Sequence, residues 1–310
     1  MLLSVVLFLS RPWGTGPADP AAHSAFFANL FLIQSWFHHP SDFFSFNGAS
    51  WSISTEMFFY AMFPLLVWRW ETTKYFKLAA TAALAVACIS RASHLGLSPL
   101  SDKNVLSIDA YVYIYPPARL FEFTLGIFTA SIWQDSKAAS FDSMKATSLQ
   151  GLAALLLVCG VPILIKLYGM LFEHHIIPAS AQKWLFACGS APIFAFVIYA
   201  MALSRGLFAR AISSRVLVFL GKISFSVYMT HQVIIIALTA NGKLASFGPM
   251  SLQYAIYWCF VIGFSIALWV FVEKPSRRFI VYMLRRWTHR KAAEITTRVA
   301  SSFESAGPAT

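Results

Sequence analysis

Apolar residues along this chain do not alternate with polar ones. They form long unbroken runs, near residues 51–68, 75–91, 117–134, 148–168, 184–204, 216–240 and 252–273, separated by short polar or basic stretches. Each run approaches the ~20 residues that carry an α-helix across the hydrocarbon of a bilayer, the second and third being marginal. A barrel strand would instead alternate apolar and polar positions. The pattern therefore predicts an all-α fold: a polytopic transmembrane helical bundle of about seven full spans. A short N-terminal partial helix, MLLSVVLFLS, stops at Arg11 and Pro12 and lacks the basic leading region of a signal peptide. The segment AFFANLFLIQSWF, residues 25–37, is too short to span comfortably and reads as interfacial or re-entrant. The whole forms one membrane domain over residues 1–291, followed by a small, polar, disordered cytoplasmic tail over 292–310.

Composition agrees with this pattern. Of 310 residues, 58% are hydrophobic and 12% charged, where a soluble domain carries about 25% charged residues. The formal net charge is +11. If the seven helices alternate, 17 of the 24 Lys and Arg fall on one side of the membrane, which the positive-inside rule makes cytoplasmic. The C-terminus is then cytoplasmic, and loops 10–50, 92–116, 169–183 and 241–251 face outward. Topology thus explains the basic charge, and no motif points to nucleic acid. Cys88, Cys159, Cys188 and Cys259 all lie inside apolar runs, without the spacing of a metal site or a disulfide framework. They read as small buried hydrophobes.

Candidate chemistry begins at WSISTEMFFYAMFPLL, residues 51–66. Ser52, Glu56 and Tyr60 recur at i, i+4 and i+8 and share one helix face. Glu56 lies roughly 7–8 Å below the outer boundary at 1.5 Å per residue. A carboxylate in hydrocarbon costs about 2.5–3.5 kcal/mol on insertion scales, which makes it either an interhelical strut or a functional group. Trp51 stands where an interfacial anchor is common. In PPARLFEFTLGIFTA, residues 116–130, Arg119, Glu122 and Gly126 share a face, with Gly126 allowing close helix approach. In GKISFSVYMTHQVII, residues 221–235, Ser224, Tyr228 and His231 do the same. The matched outer-half depth of Glu56, Glu122 and His231 predicts one shared pocket. In FVEKPSRRF, residues 271–279, Glu273 ends the last helix and Pro275 stops its continuation. The basic cluster there is either a cytoplasmic anchor or a holder of a donor's phosphates. The pairs His38–His39 and His174–His175 read as surface residues on outer loops, and no metal site is evident.

Taken together, these segments resemble the integral-membrane acyltransferase 3 family. WSISTEMFFYAMFPLL is similar to its hallmark through Trp51, Ser52, Glu56, Phe59, Tyr60 and Pro64. RLFEFTLGIFTA matches through Arg119, Glu122, Phe123 and Gly126, and LGKISFSVYMTH through Gly221, Ser224, Ser226, Tyr228 and His231. VEKPSRR resembles the family's closing helix end. The resemblance implies a multi-helix enzyme of the bacterial inner (plasma) membrane that transfers an acyl group, typically acetyl. The donor is acyl-CoA, a co-substrate and not a tightly bound cofactor. The acceptor is a hydroxyl of an exported or cell-surface carbohydrate. It also implies upstream helices carrying a basic residue and a catalytic His, so that the chain is expected to be N-terminally incomplete.

The roles implied are these. Glu56 and His231 are the catalytic candidates in this chain. Trp51, Ser52, Tyr60, Arg119, Glu122, Ser224 and Tyr228 are the substrate-binding candidates, with Trp51 stacking on a sugar ring. Two alternatives stay open on the residues alone: a transporter or flippase, which explains buried polar groups equally well, and a non-catalytic remnant. A transporter would show inverted repeats and paired broken helices, and neither is clear.

Overall fold

The computed structural model describes residues 20–97, 106–136, 142–203, 206–239, 248–286 and 288. The expected partial helix at 1–10 and the expected tail at 292–310 lie outside the described residues. The regular structure of those residues is helical, and the chain divides into two compact units, 1–218 and 219–310.

The first unit holds α1 (Pro20–Leu30), α2 (Trp51–Val67), α3 (Trp70–His94), α4 (Leu120–Ser136), α5 (Ser143–Glu173), α6 (Ala179–Cys188), α7 (Ala191–Ala202) and α8 (Leu207–Ile212). The second unit takes up the chain at Phe219, within α9 (Arg215–Thr239), and contains α10 (Met250–Arg286). Every expected apolar run is a helix. Five continuous stretches are long and apolar enough to cross a membrane: α3, α5, α6 with α7, α9 and α10. Helices α2 and α4 have 17 residues each. At 1.5 Å per residue they are about 25 Å long, short of the ~30 Å hydrocarbon thickness. Large apolar side chains such as Val158 and Ile163 stand exposed on α5, as a lipid-facing surface requires.

The segment before α2 folds into short helical turns held together by buried polar groups. Asn29, Gln34, Ser35, Ser45, Asn47 and Ser50 are all buried. Asn29 donates to the Ala25 carbonyl (2.9 Å) and to Ser45 Oγ (2.7 Å), and Gln34 donates to the Ser50 carbonyl (3.0 Å). Ser35 Oγ donates to the Trp51 carbonyl (2.6 Å), while the Ser35 amide donates to Ser54 Oγ (3.2 Å). Buried polar groups need hydrogen-bond partners, and here those bonds also lock the first turn of α2 in place. At the other end of α2, Lys77 of α3 donates to the Leu66 carbonyl (2.9 Å) and to the Trp68 carbonyl. It caps two carbonyls that have no partner within the helix.

Residues 92–116, expected as an outer loop, contain a buried stretch. A π-helical turn, Ala110–Ile114, runs into a 3₁₀ turn, Pro116–Arg119, that opens α4. Pro116 and Pro117 fix φ and remove donors that the first turn could not use. Between α6 and α7 the helix breaks at Gly189. A Cβ there would stand 2.7 Å from Tyr168 Oη, which itself donates to the Gly189 carbonyl (3.2 Å), so only glycine fits against that ring.

In the second unit α9 and α10 are fastened by small polar groups. Thr230 and Ser265 hydroxyls lie 2.9 Å apart, and Ser226 Oγ donates to Glu273 Oε2 (2.9 Å). The last helix does not stop at Pro275, contrary to the sequence expectation. A π turn, Trp269–Glu273, precedes the proline, with the Lys274 amide donating to the Trp269 carbonyl five residues back. This widened turn takes up the register that the missing proline N–H disturbs, and α10 continues to Arg286.

Candidate functional site

Arg119 is the residue around which a site assembles. The two prolines set the angle at which α4 leaves the buried stretch, and this points the Arg119 side chain back over that stretch. Its guanidinium carbon lies 5.2 Å from the centroid of Tyr113 and 5.7 Å from that of Trp51, and the two rings are 4.9 Å apart. Nη2 and Nε donate to Glu122 Oε2 at 2.8 and 3.3 Å, and Nη1 donates to the Tyr113 carbonyl at 3.5 Å. The Arg119 and Glu122 side chains are only 18% and 22% exposed. A surface i, i+3 pair contributes little. A pair this enclosed depends on geometry, because each ion left alone would carry most of its desolvation penalty. Cation–π attraction of about 2 kcal/mol for a desolvated guanidinium supports it.

The surroundings hold this arrangement from three sides. Thr55 of α2 donates to the Ile114 carbonyl (3.4 Å), Trp184 of α6 to the Ala118 carbonyl (2.9 Å), and Lys183 pairs with Asp109 (2.7 Å). The buried Cys188 thiol lies against the Glu122 carboxylate, so it is more than a small hydrophobe. Glu122 and Gly126 border two cavities. One, about 280 Å³, is shared with Arg119 and with Ala191 and Phe194 of α7. The other, about 570 Å³, runs along α4 toward Trp70, Glu71 and Gln134. Gly126 does not serve close helix packing as expected: a Cβ there would meet nothing within 4 Å. Its lack of a side chain leaves the cavity open.

The other expected residues of this unit are placed differently. Trp51 is no interfacial anchor and no open stacking platform; it is buried, 8% exposed, beneath Arg119. Ser52 Oγ donates back to the Ala49 carbonyl (3.1 Å). Glu56 is exposed and Tyr60 is 62% exposed. Among the described residues no hydrogen bond or ion pair reaches Glu56, and the structure does not join its face to the Arg119–Glu122 pair. Sequence reasoning missed Tyr113, Trp184 and Cys188; the aromatic-rich YVYIYPPAR before Arg119 was the available signal. His38 is not a plain surface residue. It packs on Tyr111 at 4.2 Å between ring centroids and on Tyr115 at 5.3 Å. Burial, then the neighbouring His39, lowers its pKa, while burial raises that of Asp42 against a smaller opposing effect of His39.

In the second unit, His231 Nδ1 lies 2.6 Å from the Tyr228 carbonyl. A carbonyl only accepts, so Nδ1 carries a proton and donates to it, which leaves Nε2 pointing away from this bond. Tyr257 Oη donates to the His231 carbonyl (3.3 Å). Ser224 is exposed and donates to the Gly221 carbonyl (2.9 Å), and Tyr228 is 40% exposed.

Helical spans enclosing a clamped Arg–Glu pair define a membrane protein with an ionic site in apolar surroundings. The acyltransferase-domain family matches the chain over residues 2–273, and the chain belongs to that family. It is 30% identical over 222 residues to acyltransferase MdmB of Streptomyces mycarofaciens, covering 67% of this chain and 50% of that protein. It is 23% identical over 306 residues to the putative peptidoglycan O-acetyltransferase YrhL of Bacillus subtilis (strain 168), covering 89% of this chain and 44% of that protein. The chain thus spans about half the length of these curated relatives. No solved structure matches it.

Proposed function

We propose that this chain is a membrane O-acyltransferase that moves an acyl group, acetyl in the first instance, from acyl-CoA to a hydroxyl of an exported or cell-surface glycan. Family membership supports the reaction class, and a relative named as a peptidoglycan O-acetyltransferase supports a glycan acceptor. The distribution of Lys and Arg supports a C-terminus in the cytoplasm, and the bacterial relatives support a bacterial plasma membrane.

The carrying observation is the enclosed Arg119–Glu122 pair opening onto two cavities. In the reaction the hydroxyl oxygen attacks the thioester carbonyl. A C–O bond forms, the C–S bond breaks, the hydroxyl proton passes to a base and CoA leaves as the thiol. The intermediate places negative charge on the carbonyl oxygen. Arg119 has five N–H donors; three are engaged in the contacts above, which leaves two for that oxygen. Glu122 has acceptor capacity beyond Arg119 and orients a sugar hydroxyl. Within the second unit, His231 Nε2 is the group able to accept a proton. Glu56, exposed on its own face, binds acceptor hydroxyls together with Ser52 and Tyr60, and Ser224 and Tyr228 do so beside His231.

The test uses the purified chain in liposomes with labelled acetyl-CoA and peptidoglycan fragments. Alkali-labile acetyl label appears on the acceptor. Glu122→Gln and His231→Gln each lower the rate about 10²-fold or more at unchanged protein level. Undiminished transfer in both variants refutes these roles.

A further inference from the structure

We infer that the basic cavity at the end of the second unit is the seat of the 3′-phosphorylated ADP end of acyl-CoA. The inference rests on the proposed donor. Lys222 of α9 and Lys274, Arg277, Arg278 and Arg285 of α10 line one cavity of about 580 Å³, with Glu273 as the carboxylate among its lining residues. A cytoplasmic anchor needs cations near the lipid surface, not cations converging on one hollow, where they repel one another unless a polyanion joins them.

The convergence has a structural cause. Residues 274, 277, 278 and 285 recur at helical spacing and share one face only because α10 continues through Pro275. The π turn Trp269–Glu273 makes that continuation possible. A helix stopping at the proline would have scattered these side chains. Glu273 is already engaged by Ser226, so the cavity keeps a formal net charge of +4, from five cations and one carboxylate. A pyrophosphate and a phosphomonoester together carry about −4 near neutral pH. Arginine forks suit phosphate oxygens. Trp269, with Lys274 Nζ 5.4 Å from its centroid, and Tyr282 supply aromatic faces of the kind on which a base stacks. The volume falls within the range of small-molecule sites.

Phosphate chemistry is shared by an anionic lipid headgroup, and the experiment separates the two. The full chain in phosphatidylcholine nanodiscs is titrated with CoA, 3′-dephospho-CoA and adenosine 3′,5′-bisphosphate. CoA binds saturably and more tightly than its dephospho form. Arg277→Gln with Arg278→Gln weakens it about tenfold or more. Glu273→Gln, which keeps the Ser226 hydrogen bond and removes the opposing charge, tightens it; a misfolded protein would not. CoA binding untouched by all three substitutions overturns the site while leaving acyl-CoA as donor. In parallel nanodiscs that contain phosphatidylglycerol, retention of that lipid through these residues, with no CoA bound in either nanodisc, overturns it in favour of a lipid headgroup. CoA binding that depends on these residues, without any acetyl transfer, upholds the site and refutes the proposed reaction.

Discussion

Three kinds of contact act on Arg119 at 18% exposure: two aromatic faces, one carboxylate and one backbone carbonyl. The relative magnitudes set what substitutions do. Glu122→Ala leaves an enclosed guanidinium unpaired and should cost about 3–5 kcal/mol. Glu122→Gln keeps an acceptor and should cost clearly less. Thermal unfolding in detergent checks the order, and equal destabilisation by both would show that the charge of Glu122 alone holds Arg119 and that a neutral acceptor cannot. His38 gives a pH-dependent counterpart. Its pKa in the folded chain lies below the ordinary 6.5, so the unfolded chain binds more protons there and stability rises with pH through that window. The contribution is full above about 6.5 and is lost as pH falls toward the lowered value. Asp42, raised above 3.8, acts oppositely at lower pH, its contribution fading as pH rises through the folded value. Hydrogen exchange over residues 38–44 should therefore accelerate as pH falls below about 6.5, after correction for intrinsic rates, and His38→Phe should remove that trend. At this scale the sequence conveyed which residues carry charge in hydrocarbon, but not their partners. The spacing of Ser52, Glu56 and Tyr60 put them on one face correctly. It could not show that Trp51, one residue away, turns inward to cover Arg119.

Helices were the most legible level, because seven long apolar runs admit few other structures. Their ends were less so. Pro275 looked like a stop, and the π turn before it, which only the backbone reveals, carries α10 on to Arg286. Residues 92–116 read as an outer loop, yet buried side chains over 107–114 and the Lys183–Asp109 pair make that stretch part of the core. The break between α6 and α7 offers a test at this scale. Gly189→Ala drives a methyl into Tyr168 and should destabilise the first unit by about 1–3 kcal/mol. Adding Tyr168→Phe should not restore full stability, since the ring carbon Cε2 also stands 2.8 Å from that methyl. Tyr168→Ala should relieve only part of the cost of Gly189→Ala, since the Leu185 carbonyl oxygen still stands 2.5 Å from that methyl. Unfolding midpoints of the three variants decide this.

At the scale of the molecule, the membrane class and the family were readable from the sequence because both rest on patterns that recur along most of the chain. The chemistry of the site was readable only as a set of residue types. Depth inferred from topology placed Glu56 beside Glu122, whereas within the first unit the structure gathers Arg119, Glu122, Trp51 and Tyr113 and leaves Glu56 exposed on another face. The central claim is that Arg119 works in acyl transfer and does not merely brace α4. The most direct measurement is the rate of alkali-labile acetyl transfer from labelled acetyl-CoA by Arg119→Lys beside the unsubstituted chain. Lysine retains the charge and the cation–π contact, so folding should persist, but it loses the planar fork. The account predicts transfer by the unsubstituted chain and a loss of about 10²–10³-fold in the variant at equal protein level. Transfer at the full rate by Arg119→Lys, or none by the unsubstituted chain, would contradict it.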